Sequence, residues 1–182
     1  MLFRSVADIA DISVAEAESH LKDLLGRELA LFREARSLWQ ITPAGKEAHR
    51  DALAADTPAS ALAALHDPYE EFLVINNAFK ELCGEWQLRD GQPNDHSDTG
   101  YDKGVIDRLV AMKNESVPVV TAMGQVLGRL APYVPRLEST SKRVVAGEHN
   151  MFTGVMCGSY HDVWMELHED LILTQEIGRA HV

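Results

Sequence analysis

Apolar side chains recur at Val14, Ala17, Leu21, Leu24 and Leu25, the spacing of a helix with one buried face. Ser13 stands just before this run and Glu16 three residues after it, which predicts a capping box at the helix start. Gly26 follows the last periodic position and suits a left-handed C-terminal cap. Upstream, Val6-Ala7-Asp8-Ile9-Ala10 reads as the tail of another helix, with Asp11-Ile12 as the turn between them. Downstream the period shortens. Residues 28–32 and 38–41 read as strands, separated by a polar stretch at 33–37. Thr42 then caps a helix whose first position is Pro43. Helix, turn, helix, hairpin, helix is the winged-helix order, here over residues 6–55 and lacking its earliest elements.

Residues 56–60 read as a linker. Asp67-Pro68 is expected to open a long helix that carries Phe72, Phe79 and Trp86. Gly91, Pro93 and Gly100 break the helical period between 89 and 100. Helices are expected over 102–113 and 116–130, then past Pro132 and Pro135 to 146. A connection at 147–156 leads to a last helix from Ser159 to about Glu176. The fold class is therefore mainly α: a partial winged helix-turn-helix with a small β-hairpin wing, followed by an all-α domain over 60–176.

Composition narrows the function classes. No apolar run reaches the roughly 18 residues of a membrane span, so no membrane partner is expected. Cys83 and Cys157 form neither a disulfide framework nor a CxxC pair, and a reducing cytoplasm is the simplest compartment. Residues 6–55 hold six Lys/Arg against nine Asp/Glu, net −3; residues 56–176 hold nine against nineteen, net −10. Neither part has the basic excess of a strong general nucleic-acid binder.

The first module resembles the MarR-type winged-helix regulators. The resemblance rests on 13–25 as recognition helix, on Gly26-Arg27-Glu28-Leu29-Ala30 as its exit, and on Leu38-Trp39-Gln40-Ile41-Thr42-Pro43-Ala44-Gly45-Lys46 as wing strand and following helix. It covers about 50 residues and implies DNA binding as a homodimer, since symmetric half-sites need paired modules. On that reading Ser19 and Lys22 face the groove, and Arg33 and Arg36 on the wing meet phosphates. The residues themselves leave a second possibility open. The outward positions of 13–25 are Ala15, Glu16, Glu18, Ser19, Lys22 and Asp23, and three of these are acidic. Carboxylates oppose docking on phosphate, so the module is also readable as a protein–protein or interdomain packing unit.

In the helical domain, Trp86, Arg89, His96, Tyr160, His161, Trp164 and His168 mix aromatic surface with polar groups, as small-molecule effector sites do. The competing assignment makes the tryptophans core anchors and the histidines satisfied buried residues. His161 and His168 are seven apart, about 10 Å along a helix axis, too far to share one metal. The loop 94–98 is oxygen-rich but lacks a calcium-loop pattern. Cys83 reads as core. Without a phosphate loop, GxSxG, HExxH or CxxC, neither catalytic residues nor a metal or cofactor is expected.

Segments 86–90, 94–98 and 159–170 are similar to a C-terminal helical region of actinobacterial winged-helix proteins. Some of these accompany enzymes of the phosphoenolpyruvate/pyruvate-binding type. That likeness implies an alternative: a non-catalytic regulatory or interaction region, such as the tail of an enzyme of that type. Leu2-Phe3-Arg4-Ser5 and Ile177-Gly178-Arg179-Ala180-His181-Val182 resemble translated sequencing-adapter DNA. Residues 1–5 and 177–182 are therefore expected to be artefact flanking a fragment, and they carry no weight in the fold.

Overall fold

A computed structural model describes the backbone of residues 2–180 and the side chains of 6–176. The terminal segments 1–5 and 177–182 thus lie outside the described side chains. The chain divides into two compact units. One comprises Met1–Ala59 with Leu173–Val182, the other Ser60–Ile172.

In the first unit, α1 (Leu2–Ala10) and α2 (Val14–Gly26) are joined by a turn at Asp11, whose φ is +53°. The expected capping box forms. The Ser13 hydroxyl accepts from the Glu16 amide at 3.2 Å, and the Glu16 carboxylate accepts from the Ser13 amide at 2.9 Å. Ala17 and Leu21 are buried, but Val14 and Leu25, expected on the same apolar face, are exposed. The buried stripe is narrower than the sequence period implied. The helix also ends differently. Gly26 is its last residue, and Glu28 takes the left-handed conformation, with φ +60°. The Leu29 amide bonds back to the Leu24 carbonyl and closes the turn.

Strands β1 (Ala30–Arg33) and β2 (Leu38–Ile41) pair antiparallel, with Phe32 opposite Trp39 and their rings 5.3 Å apart. A 3-10 turn at Glu34–Arg36 and a left-handed Ser37 connect them. Helix α3 (Pro43–Asp56) starts as the sequence predicts. The Thr42 hydroxyl accepts from the Gly45 amide at 2.9 Å and donates to the Glu28 carbonyl at 2.8 Å. One side chain therefore caps α3 and ties it to the strand entry.

The second unit is all helical apart from one small hairpin. Helix α4 runs unbroken over Ala59–Gln87, with Pro68 inside it, so no helix begins at Asp67 and the linker shrinks to Thr57 and Pro58. The Ala- and Leu-rich stretch before Pro68 has strong helix propensity. Ala61, Leu65, Phe72 and Phe79 continue one buried face through the proline, and that burial outweighs the lost backbone bond. The same correction applies to α5, one helix over Thr99–Val126 with Pro118 inside, where two were expected. After a 3-10 turn at Gly128–Leu130 come α6 (Tyr133–Val145), the short α7 (Asn150–Thr153) and α8 (Tyr160–Ala180).

Between α4 and α5 the expected break is a miniature hairpin, β3 (Leu88–Arg89) with β4 (Gln92–Pro93). Asp90 and Gly91 both have positive φ, at +52° and +76°, as a two-residue type I′ turn demands. The core of this unit is aromatic. Phe72 stacks on Trp164 at 5.0 Å, Phe79 lies 5.1 Å from Trp164, and the Trp164 indole donates to the Asn76 side chain at 2.9 Å. No helix among the described residues is long and apolar enough to cross a membrane.

Candidate nucleic-acid interface and histidine site

On the first unit, Ser19, Lys22, Arg33 and Arg36 are all exposed. The outward acids of α2 are not loose charges. Glu16 is engaged in the capping box, where the Ser13 hydroxyl and then the Ser13 amide hold its carboxyl below the usual range. Glu18 pairs with Lys22 at 2.6 Å, and Asp23 with Arg27 at 3.2 Å, each one turn along the helix. The expected groove-facing Lys22 thus spends its charge on a neighbour. On the wing, Arg33 donates from Nε to the Gln40 side chain at 3.0 Å. Arg33 and Arg36 line a shallow open depression with Ala35, Leu38 and Gln40. The wing thus carries two exposed arginines with Glu34 between them.

The seven residues expected to form an effector site separate into two groups. Trp86 and His96 come together, and their rings lie 4.4 Å apart. Arg89 belongs to the adjoining hairpin. It pairs with Asp98 at 2.9 Å and lies over the Tyr101 ring at 4.8 Å. The Tyr101 amide, then Arg89, hold the Asp98 carboxyl below its ordinary value.

Tyr160, His161, Trp164 and His168 instead belong to α8 and pack on α4. Tyr160 and Trp164 are fully buried against Phe79. Burial raises the Tyr160 phenol far above its usual range, partly offset by the neighbouring Ser116 hydroxyl. His161 and His168 tilt against Phe79 and Phe72. The His168 imidazole is shifted downward, first by burial and then by Lys80, against a smaller opposing pull from Glu169. Cys83, half-buried, has its thiol pushed up to about 12 by burial, which leaves it a poor nucleophile.

Around Trp86 the arrangement is more constructed than the sequence disclosed. His96 has φ +57°, a left-handed conformation uncommon outside glycine though less so for histidine. Its Nδ1 lies 3.0 Å from the Asp102 carboxylate, which is 4% exposed, while the imidazole side chain is 35% exposed. The other Asp102 oxygen accepts from the Asn94 amide group at 3.0 Å, and Asn94 also donates to the Trp86 carbonyl at 3.1 Å. Asn94 in turn accepts from the His96 backbone amide at 3.2 Å. His149 meets the Trp86 ring edge-on at 5.3 Å, with its own ring 6.2 Å from that of His96.

Asn94 and Asp102 stand out in the sequence only as parts of, and just behind, the oxygen-rich loop 94–98, and His149 does not stand out at all. His149 is brought in from 53 positions beyond His96 by tertiary folding alone. Among the described residues no group of three His, Cys, Asp or Glu side chains is placed to hold a metal. No known family model, curated protein or solved structure matches the chain.

Proposed function

We propose that the chain is a winged-helix DNA-binding regulator whose helical unit serves for dimerisation or effector sensing. The observation that carries this reading is the wing. Two exposed arginines, one held by Gln40, flank an open depression at the hairpin end, beside an α2 whose acids are largely internally paired. Backbone phosphates are the natural partners of such guanidinium groups. In this scheme α2 lies in the major groove with Ser19 outward, and the wing grips the flanking strand. The scheme requires no catalytic residue and no cofactor.

Selection from a random-sequence duplex pool tests it. Enrichment of a discrete motif, repeated as two half-sites about one helical turn apart if the protein pairs, is expected. A pool that remains unenriched at low ionic strength would overturn the proposal.

One observation favours a different use. Glu16, Glu18 and Asp23 still give α2 an acidic outer surface, which fits a basic protein partner better than a polyanion. On that reading the chain is an interaction region of a larger assembly.

A further inference from the structure

We infer that His96 and His149 form a binding site for a borderline divalent cation of the Zn²⁺ class, on the surface of the helical unit and independent of DNA binding. Three features carry this. The first is the tautomer. Nδ1 of His96 lies 3.0 Å from the Asp102 oxygen and 3.2 Å from the Asn94 side-chain nitrogen, whose two N–H groups are directed to the Trp86 carbonyl and the other Asp102 oxygen, so in the neutral ring Nδ1 carries the proton and donates to Asp102. The lone pair is left on Nε2, on a ring that is one-third exposed. A carboxylate behind an imidazole is the arrangement that fixes the tautomer and orientation of metal-ligating histidines.

The second feature is preorganisation. Trp86 is buried and supports both imidazoles, His96 at 4.4 Å and His149 edge-on at 5.3 Å. Asn94 braces His96 alone, through Asp102, the Trp86 carbonyl and the His96 amide. The left-handed backbone at His96 is tolerated because these bonds over-determine it.

The third is spacing and charge. Two imidazoles on one tetrahedral ion, with metal–nitrogen bonds of about 2.1 Å, have ring centres about 5 Å apart. The observed 6.2 Å has to close by about 1 Å, which side-chain motion of the exposed His149 supplies. The net −10 over residues 56–176 favours approach of a dication. Two protein nitrogens complete half of a four-coordinate shell and leave two positions for water or an exogenous ligand.

Zn²⁺ alone, in competition with a chromophoric chelator at pH 7.5, tests the assignment on the full chain. One site per chain is expected. His96→Gln and His149→Gln should each weaken it at least about tenfold, and the exposed His20→Gln should leave it unchanged. Asp102→Asn removes the charge and leaves one acceptor oxygen where His96 and Asn94 need two, and it should weaken binding by about 10-fold or more.

Long-range proton–nitrogen NMR spectra of the unsubstituted protein give a readout that does not depend on variants folding. They should show His96 protonated at Nδ1, with Zn²⁺ shifting Nε2 of His96 and a ring nitrogen of His149. Equal affinity in either histidine variant, equal loss in His20→Gln, or spectra in which those nitrogens do not move would overturn the inference.

Discussion

A Cβ placed on Gly45 would sit 1.9 Å from the carbonyl oxygen of Leu29, so the first turn of α3 and the entry to β1 are in direct backbone contact. Only glycine fits there, and Thr42 bonds the same junction from the other side. Gly45→Ala is therefore expected to cost about 3 kcal/mol through forced backbone displacement, despite the roughly 1 kcal/mol that alanine gains over glycine in a helix. Urea denaturation followed by circular dichroism measures it. A variant as stable as the parent would mean that α3 does not rest on this strand.

The buried bond between Trp164 and Asn76 makes a second, separable prediction. Asn76→Ala strands an indole N–H in the core and should cost about 2 kcal/mol, whereas substitution of the neighbouring exposed Asn77 by Ala should cost far less. Chemical denaturation of the two variants side by side decides.

Stability should also respond to pH through His168. Burial and Lys80 lower its folded pKa below the unfolded value, so between the two values the unfolded chain binds the extra proton. The sign follows. Its contribution is fully present above the ordinary histidine value of 6.5 and is lost as pH falls below it. His66, raised mainly by its hydrogen bond to Asp67, works in the opposite direction, so the difference between parent and variant is the quantity to follow. In His168→Gln the decline in urea midpoint from pH 7.5 to pH 5.5 should be shallower than in the parent; an equal or steeper decline would contradict the assignment.

On α2, Glu18 neutralises Lys22 at 2.6 Å and is itself repelled by phosphate. If the helix enters a groove, Glu18→Gln frees the ammonium and should tighten DNA binding about threefold at low salt, measured by anisotropy of a labelled duplex. If α2 instead meets a basic protein, the same change should leave DNA indifferent.

The local rules were legible in the sequence wherever one short segment decided the outcome. Ser13 with Glu16 announced α2, and Thr42-Pro43 announced α3, because capping is settled within four residues. The Leu38–Ile41 strand was equally clear from its pattern. Pro68 and Pro118 misled for the same reason in reverse. Each is locally a boundary signal, but the apolar face on either side of it is continuous, and tertiary burial carries the helix through. The Asp90-Gly91 turn was present as a hairpin signal, yet strands of two residues leave no period to detect.

At the histidine site, Trp86 and His96 were recognisable as chemistry-bearing residues. Their partner His149 was not, since nothing in its own neighbourhood distinguishes it until the fold sets it against the indole. Of the α8 residues grouped with them, Tyr160 and Trp164 are buried against Phe79, while His161 and His168 are half-buried beside Phe79 and Phe72.

The salt dependence of duplex binding tests the central reading most directly. Affinity of the parent for a fluorescent duplex should fall linearly with the logarithm of salt concentration, and the Arg33→Ala/Arg36→Ala double variant should lose about 1.8 from the magnitude of that slope, at about 0.9 per phosphate contact. A parent that ignores the duplex at about 20 mM salt, where screening is weak, or a double variant with an unchanged slope, would contradict a wing that grips phosphate.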